Sequence, residues 1–240
     1  GEPVVGCPDA HGEMVLVPAG EFLFGPNDTK TTLPAFCIDK YEVRADAYAT
    51  CVKAGGCIGH SKWPQCKDGD SSAPNSCLSK PGDSPANWID WYRAFEYCEW
   101  AQKALPTEEQ WEKAARGTDG RLFPWGNSIG CKHAHWGRSV GFDTCKGFGG
   151  LPDKSVDVTL YQKWASPYGA LQMAGNVREW IDYRKDKTKP PPASGFAVSK
   201  GGEYRESKAG VSSVGSYKLL GPDVAMDSQG FRCAVAFGSK

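Results

Sequence analysis

Ten cysteines carry most of the reactive chemistry in this 240-residue chain: Cys7, Cys37, Cys51, Cys57, Cys66, Cys77, Cys98, Cys131, Cys145 and Cys233. A cysteine can serve as a nucleophile, a soft-metal ligand or half of a disulfide, and spacing separates these roles. Zinc sites gather Cys-x-x-Cys pairs, whereas these ten are even in number and spread along the chain. The pattern reads as five disulfides made in an oxidising compartment, secreted or periplasmic. Proximity in sequence pairs Cys7 with Cys37 and Cys131 with Cys145. Cys51, Cys57, Cys66 and Cys77 allow three connectivities, and the sequence does not choose among them. The chain opens Gly1-Glu2-Pro3, with neither a basic nor an apolar leader segment, so the disulfide reading implies that a leader has been removed.

Other polar motifs are weaker. His133-x-His135 offers two imidazoles with no third ligand nearby, and solitary histidines are far commoner than metal sites. Asp68-x-Asp70 resembles the start of a calcium loop but lacks its glycine and terminal Glu, so it reads as a turn. The chain contains no phosphate-cradling glycine loop, nucleophile elbow or His-Glu-x-x-His motif. Twenty-eight basic residues balance 28 acidic ones, which argues against nucleic acid or an anionic membrane as partner. No stretch reaches the run of about 18 apolar residues that a membrane span needs. A protein, peptide, glycan or small molecule is the expected ligand.

These residues need elements to position them. Residues 14–24 read as two short strands joined by a turn at Pro18 and Gly20. Asp46 is expected to cap a short helix carrying Tyr48 and Cys51 towards Gly55. From about Gly55 to Ser84 the sequence is rich in Cys, Gly, Ser and Pro without periodicity, which suits an insertion stapled by disulfides. Trp91, Ala94, Phe95, Cys98 and Ala101 share one helical face, and that helix stops before Leu105-Pro106. Thr107 and Gln110 form a capping-box pattern for a second helix with Trp111 and Ala114 inward. Lys185 to Pro192 reads as a solvated basic, proline-rich loop.

Five blocks carry a family resemblance. They are Met14 to Phe22, Leu105-Pro106-Thr107-Glu108-Glu109-Gln110-Trp111-Glu112, Phe123-Pro124-Trp125-Gly126-Asn127, Gly175-Asn176-Val177-Arg178-Glu179-Trp180 and Gly230-Phe231-Arg232-Cys233. In order and spacing, over roughly residues 12 to 236, they closely resemble the formylglycine-generating enzyme family, also called sulfatase-modifying factors. The resemblance implies an α+β fold with little regular secondary structure, the duplicated C-type-lectin-like fold of that family. It also implies a single domain over 1–240 with a Cys-rich insertion at about 55–84, and a Cys98–Cys233 pair. The nine tryptophans suit loop anchoring in such a fold better than sugar stacking.

Family enzymes place two cysteines a few residues after Gly-Gly to hold copper and oxidise a substrate cysteine with oxygen. Soft thiolates suit Cu(I). Aligned on Gly201-Gly202 and on Gly230-Phe231-Arg232-Cys233, those positions are Glu206 and Val211, so copper is not expected. The serine that follows Gly-Gly in the enzymes is Glu203, and the active-site tryptophan that the enzymes carry inside the Gly-Asn-x-x-Glu-Trp block, at its fourth position, is Arg178. Arg178, Glu203, Arg205 and Glu206 are therefore the candidate ligand cleft, with a structural ion-pair network as the alternative.

The same resemblance implies one calcium site at Gln172, the carbonyls of Gly175 and Val177, and Glu179, an all-oxygen set suited to a hard cation. A second family site falls near His135 and Lys146, and is expected to be lost because an ammonium repels a cation. The expected function is a binding or accessory module without copper-oxidase activity. The alternative is an oxygen-dependent oxidoreductase of altered, cysteine-independent chemistry, with Glu206 as acid or base and Glu203 and Arg178 as supports. A variable-loop receptor is disfavoured, because residues 203–228 lack an Asn-rich composition.

Overall fold

A computed structural model describes residues 6–7, 12–59, 75, 82–137, 154–188, 195–206 and 213–238. Four short strands come first, at Met14–Val17 (β1), Gly20–Phe24 (β2), Thr29–Leu33 (β3) and Phe36–Asp39 (β4). Helices Ala45–Lys53 (α1), Trp91–Trp100 (α2) and Glu108–Arg116 (α3) follow. Strands Arg178–Trp180 (β5), Ala197–Lys200 (β6), Tyr217–Leu220 (β7), Gln229–Phe231 (β8) and Ala234–Ala236 (β9) complete the order. The described strands form three sheets, ordered β1-β4-β9, β2-β3 and β7-β6-β5-β8.

The two strands expected in residues 14–24 form, but in different sheets: β1 pairs with β4, and β2 with β3. Pro18 lacks the N–H that a continuous ladder would need. At α1 the expectation is corrected. Arg44 occupies the N-cap position and Asp46 lies inside the first turn, where its carboxylate meets the Arg44 guanidinium at 3.1 Å. A carboxylate there still complements the positive helix end. Asp90 caps α2 by accepting from the Arg93 amide at 2.9 Å, and the Thr107/Gln110 capping box opens α3.

Apolar faces of these elements meet in two main clusters. Tyr48, Trp91, Tyr97, Trp180 and Phe231 pack with α2 against the four-stranded sheet, while Trp111, Phe36, Ile38, Met173 and Ile181 pack around α3. The tryptophan N–H groups are used as anchors. Trp91 donates to the Ile181 carbonyl at 2.7 Å and Trp180 to the Ile89 carbonyl at 2.8 Å, tying helix and strand to irregular backbone.

Three disulfides lie wholly within the described residues: Cys7–Cys37, Cys51–Cys57 and Cys98–Cys233. The last joins α2 to the two-residue link between β8 and β9, 135 positions away. Cys51–Cys57 selects one pairing from the group that the sequence left open. Cys131 is also disulfide-bonded; Cys66, Cys77 and Cys145 lie outside the described residues.

Between the two clusters sits an ion pair. Glu179 and Arg232 are both fully buried. Arg232 Nε and Nη2 donate to Glu179 at 2.6 and 2.7 Å, a bidentate fork, and Trp111 Nε1 donates to the same carboxylate at 2.7 Å. Removing one partner of such a pair strands the other charge in an apolar interior. Glu179→Gln is therefore expected to cost about 3–5 kcal/mol in urea unfolding. A loss below about 1 kcal/mol would show that the pair is not structural.

Candidate functional site

The chain leaves β6 through Gly201 and Gly202, whose φ angles of 90° and 68° are open to glycine and costly for other residues. A Cβ on Gly201 would also lie 3.2 Å from the Trp111 ring. This turn carries Glu203 to Glu206 across the start of β5. Backbone bonds hold it there: the Tyr204 amide donates to the Asn176 carbonyl at 3.0 Å, and the Gly137 amide to the Glu206 carbonyl at 2.9 Å.

At the start of β5 the Arg178 side chain is almost fully buried and forms an ion pair with Glu206. Glu203 accepts from the Arg205 amide at 2.9 Å. The Arg205 guanidinium turns the other way, making two bonds to Asp227 at 2.8 and 2.5 Å and lying 4.6 Å over the Tyr204 ring. Tyr204 donates its hydroxyl to Asp227 at 3.2 Å. The four residues singled out in the sequence thus come together, and Asp227 joins them. Val211 lies outside the described residues.

Burial lowers the Arg178 pKa, and the charge of Glu203 opposes that shift. Burial likewise raises Glu203, against the Arg205 amide and the two arginines. Asp227 is held below its ordinary range by its bonds from Arg205. Lys218 on β7 is lowered by burial and by Arg178, and raised by Glu203, which marks it as part of the same field. Three cations therefore face three carboxylates. Sequence reasoning missed Lys218 and Asp227, because neither belongs to a motif and only strand register and chain reversal bring them near Arg178.

The expected calcium ligands meet a different environment. Gln172 and Asn176 have positive φ, as does Gly175, where a Cβ would stand 2.5 Å from the His135 carbonyl oxygen. Gln172 Oε1 is buried without a hydrogen-bond partner among the described residues, which suits an oxygen awaiting a cation. Glu179 does not suit that role. Its carboxylate is already engaged by the Arg232 guanidinium and Trp111. Glu42, unmarked in the sequence, lies beside it, accepting from Asn176 Nδ2 at 2.7 Å, with its pKa pushed well up by burial and by the charge of Glu179. The ligand set therefore fits calcium only through Gln172 and backbone carbonyls.

The two histidines do not converge on a metal. His135 is buried, with Nε2 2.8 Å from the Lys154 carbonyl and its ring stacked on Tyr204. His133 accepts from the Gly130 amide at Nδ1 and packs 4.2 Å from the Trp164 ring. Lys146, Asp68 and Asp70 lie outside the described residues, among which no three His, Cys, Asp or Glu side chains group to hold a metal.

Residues 6–237 match the model of the sulfatase-modifying factor enzyme 1-like domain family. The chain belongs to this family. It is 27% identical to the formylglycine-generating enzyme of Bos taurus over 96% of its own length and 76% of that protein's. It is 32% identical to the inactive C-alpha-formylglycine-generating enzyme 2 of Mus musculus, over 70% of its length and 54% of the relative's. Among solved structures it superposes on PvdO from Pseudomonas aeruginosa with a TM-score of 0.68, at 21% identity, covering 93% and 94% of the two chains. The fold is the mixed α+β, C-type-lectin-like fold of formylglycine-generating-enzyme-like proteins.

The Arg205–Asp227 pair gives the site an acid limb. Asp227 titrates below its ordinary 3.8 when folded, so its stabilisation is present above that value and lost as pH falls through the lowered one. Melting temperatures of the protein and of Asp227→Asn are expected to differ most above pH 4 and to converge in stronger acid. Curves that stay parallel through this range would show that the pair contributes no linkage.

Proposed function

We propose that this family member is a binding or accessory module without copper-oxidase activity, recognising a protein, peptide or glycan in a secreted or periplasmic setting. The ion pair of Arg178 with Glu206 carries the reading. Glu206 stands where the resemblance puts a copper-holding cysteine, and Arg178 where it puts an active-site tryptophan. Each neutralises the other. A hard carboxylate bound to guanidinium offers nothing to Cu(I), which requires soft sulfur. No cysteine among the described residues is free to replace it. The three disulfides support an oxidising compartment. No described helix is long and apolar enough to cross a membrane.

The second reading, an oxygen-dependent oxidoreductase of altered chemistry, draws on Glu203, whose pKa is raised by burial against the opposing charge of Arg178. Glu206, its first candidate acid or base, is less suited to that work while it is paired with Arg178. A sulfatase-type cysteine peptide incubated with the protein, oxygen and copper is expected to show no aldehyde by mass spectrometry. Copper-dependent conversion would overturn the binding-module reading. Aldehyde formed equally without copper would favour the second.

One calcium ion remains part of the proposal, held by Gln172 Oε1 and the carbonyls of Gly175 and Val177. The chelator EGTA is then expected to lower the melting temperature of the protein but not that of Gln172→Leu. Identical melting curves with and without chelator would remove calcium from the account.

A further inference from the structure

A second polar site lies elsewhere on the molecule. A cavity of about 250 Å³ opens between the end of β4, the start of α1 and the last turns of α2, lined by Glu13, Asp39, Tyr41, Arg44, Tyr97 and Lys103 among others. It shares no residue with the cleft of Arg178 and Glu206, so its occupancy is independent of the function proposed there. Its volume lies at the small end of the range for ligand pockets.

The floor is an ion pair. Lys103 Nζ donates to Asp39 Oδ1 at 2.5 Å, and the two side chains are 9% and 11% exposed. The Cys233 amide satisfies the other Asp39 oxygen at 2.9 Å, leaving Lys103 with two further N–H groups. Tyr97, 8% exposed, is the independent indication of a ligand. Its ring is fixed against Tyr48 and Phe231, and its hydroxyl has no hydrogen-bond partner among the described residues. Tyr97 lines the cavity, where its hydroxyl can both donate to and accept from a ligand. Arg44 stands at the rim, paired with Asp46 and Asp83, and Glu13 stands opposite, accepting from Lys40 and Tyr41.

Two cations and three carboxylates line this space, and each carboxylate already accepts a hydrogen bond, from Lys40, Lys103 and Asn176 in turn, so no unmatched charge awaits an ion of either sign. A hydroxyl both donates and accepts, and two neighbouring hydroxyls can bridge an ammonium and a carboxylate that already touch. We infer that the cavity is a saccharide-binding site, in which one sugar unit sets adjacent hydroxyls on Lys103 and Asp39 and a third on Tyr97. A second cavity, of about 560 Å³, shares Gly12 and Glu13 as a common wall and continues past Met14, Val15 and Lys40. That continuation suits an oligosaccharide, with the next unit lying along β1.

Saturation-transfer NMR of the whole protein tests this with the methyl glycosides of glucose, mannose, galactose and N-acetylglucosamine, and with glycine and acetate as ionic controls. At least one glycoside is expected to bind saturably in the millimolar range, its disaccharide more tightly, and the ionic probes not at all. Tyr97→Phe deletes only an unpartnered hydroxyl, so it is expected to keep the melting temperature while weakening binding about five- to tenfold. Absence of saturable binding by every glycoside, binding that Tyr97→Phe leaves unchanged, or preference for glycine or acetate would each overturn the assignment.

Discussion

The guanidinium of Arg232 fixes the frame on which everything else rests. All five of its N–H groups are used. Two go to Glu179, through Nε and Nη2, with Nη2 also reaching the Leu171 carbonyl, while Nη1 holds the carbonyls of Asp39 and Lys40. One side chain therefore joins the end of β4, the segment before Gln172 and the middle of β5. A buried arginine is tolerable only when such a set is complete, because each unmet donor costs free energy in an apolar interior. Trp111 extends the set to α3.

From that anchor the strand period places the cleft. Glu179 points to the hub, so its neighbours Arg178 and Trp180 point to the opposite face of the sheet. Trp180 enters the core against α2, and Arg178 is left to meet Glu206. The next strand is fixed in the same way. Lys200 pairs across the ladder with Glu179 and is fully buried, reaching Glu112 at 2.8 Å, and Glu112 also binds Arg116 at 2.8 Å. Lys200 in place sets Gly201-Gly202, and that turn sets Glu203 to Glu206. The scaffold demands on these positions explain how the fold persists while the side chains in the cleft change character.

Much of this was legible in the sequence because the relevant residues sit in local patterns. Thr107 and Gln110 cap α3 as their spacing predicts, and the Trp91, Ala94 and Cys98 face is buried. Cys98–Cys233 followed from family blocks that meet in space. What escaped notice depends on long-range register or on competition for one group. Asp46 has the chemistry of a cap, yet the helix begins one residue earlier. Asp227 and Lys218 reach the cleft only through the sheet. Glu179 reads as a cation ligand until Arg232, 53 positions away, is seen to occupy it. Tyr97 and Lys103 belong to no motif, since a cavity has no linear signature.

The account turns on whether the cleft can hold the metal that family oxidases use. Competition for Cu(I) against a chromophoric bidentate chelator, under anaerobic conditions with the disulfides intact, measures this directly. The ion pair of Arg178 with Glu206 predicts that the chelator retains all the copper, in the protein and in Glu206→Gln alike. Stoichiometric withdrawal of Cu(I) by the protein would contradict it.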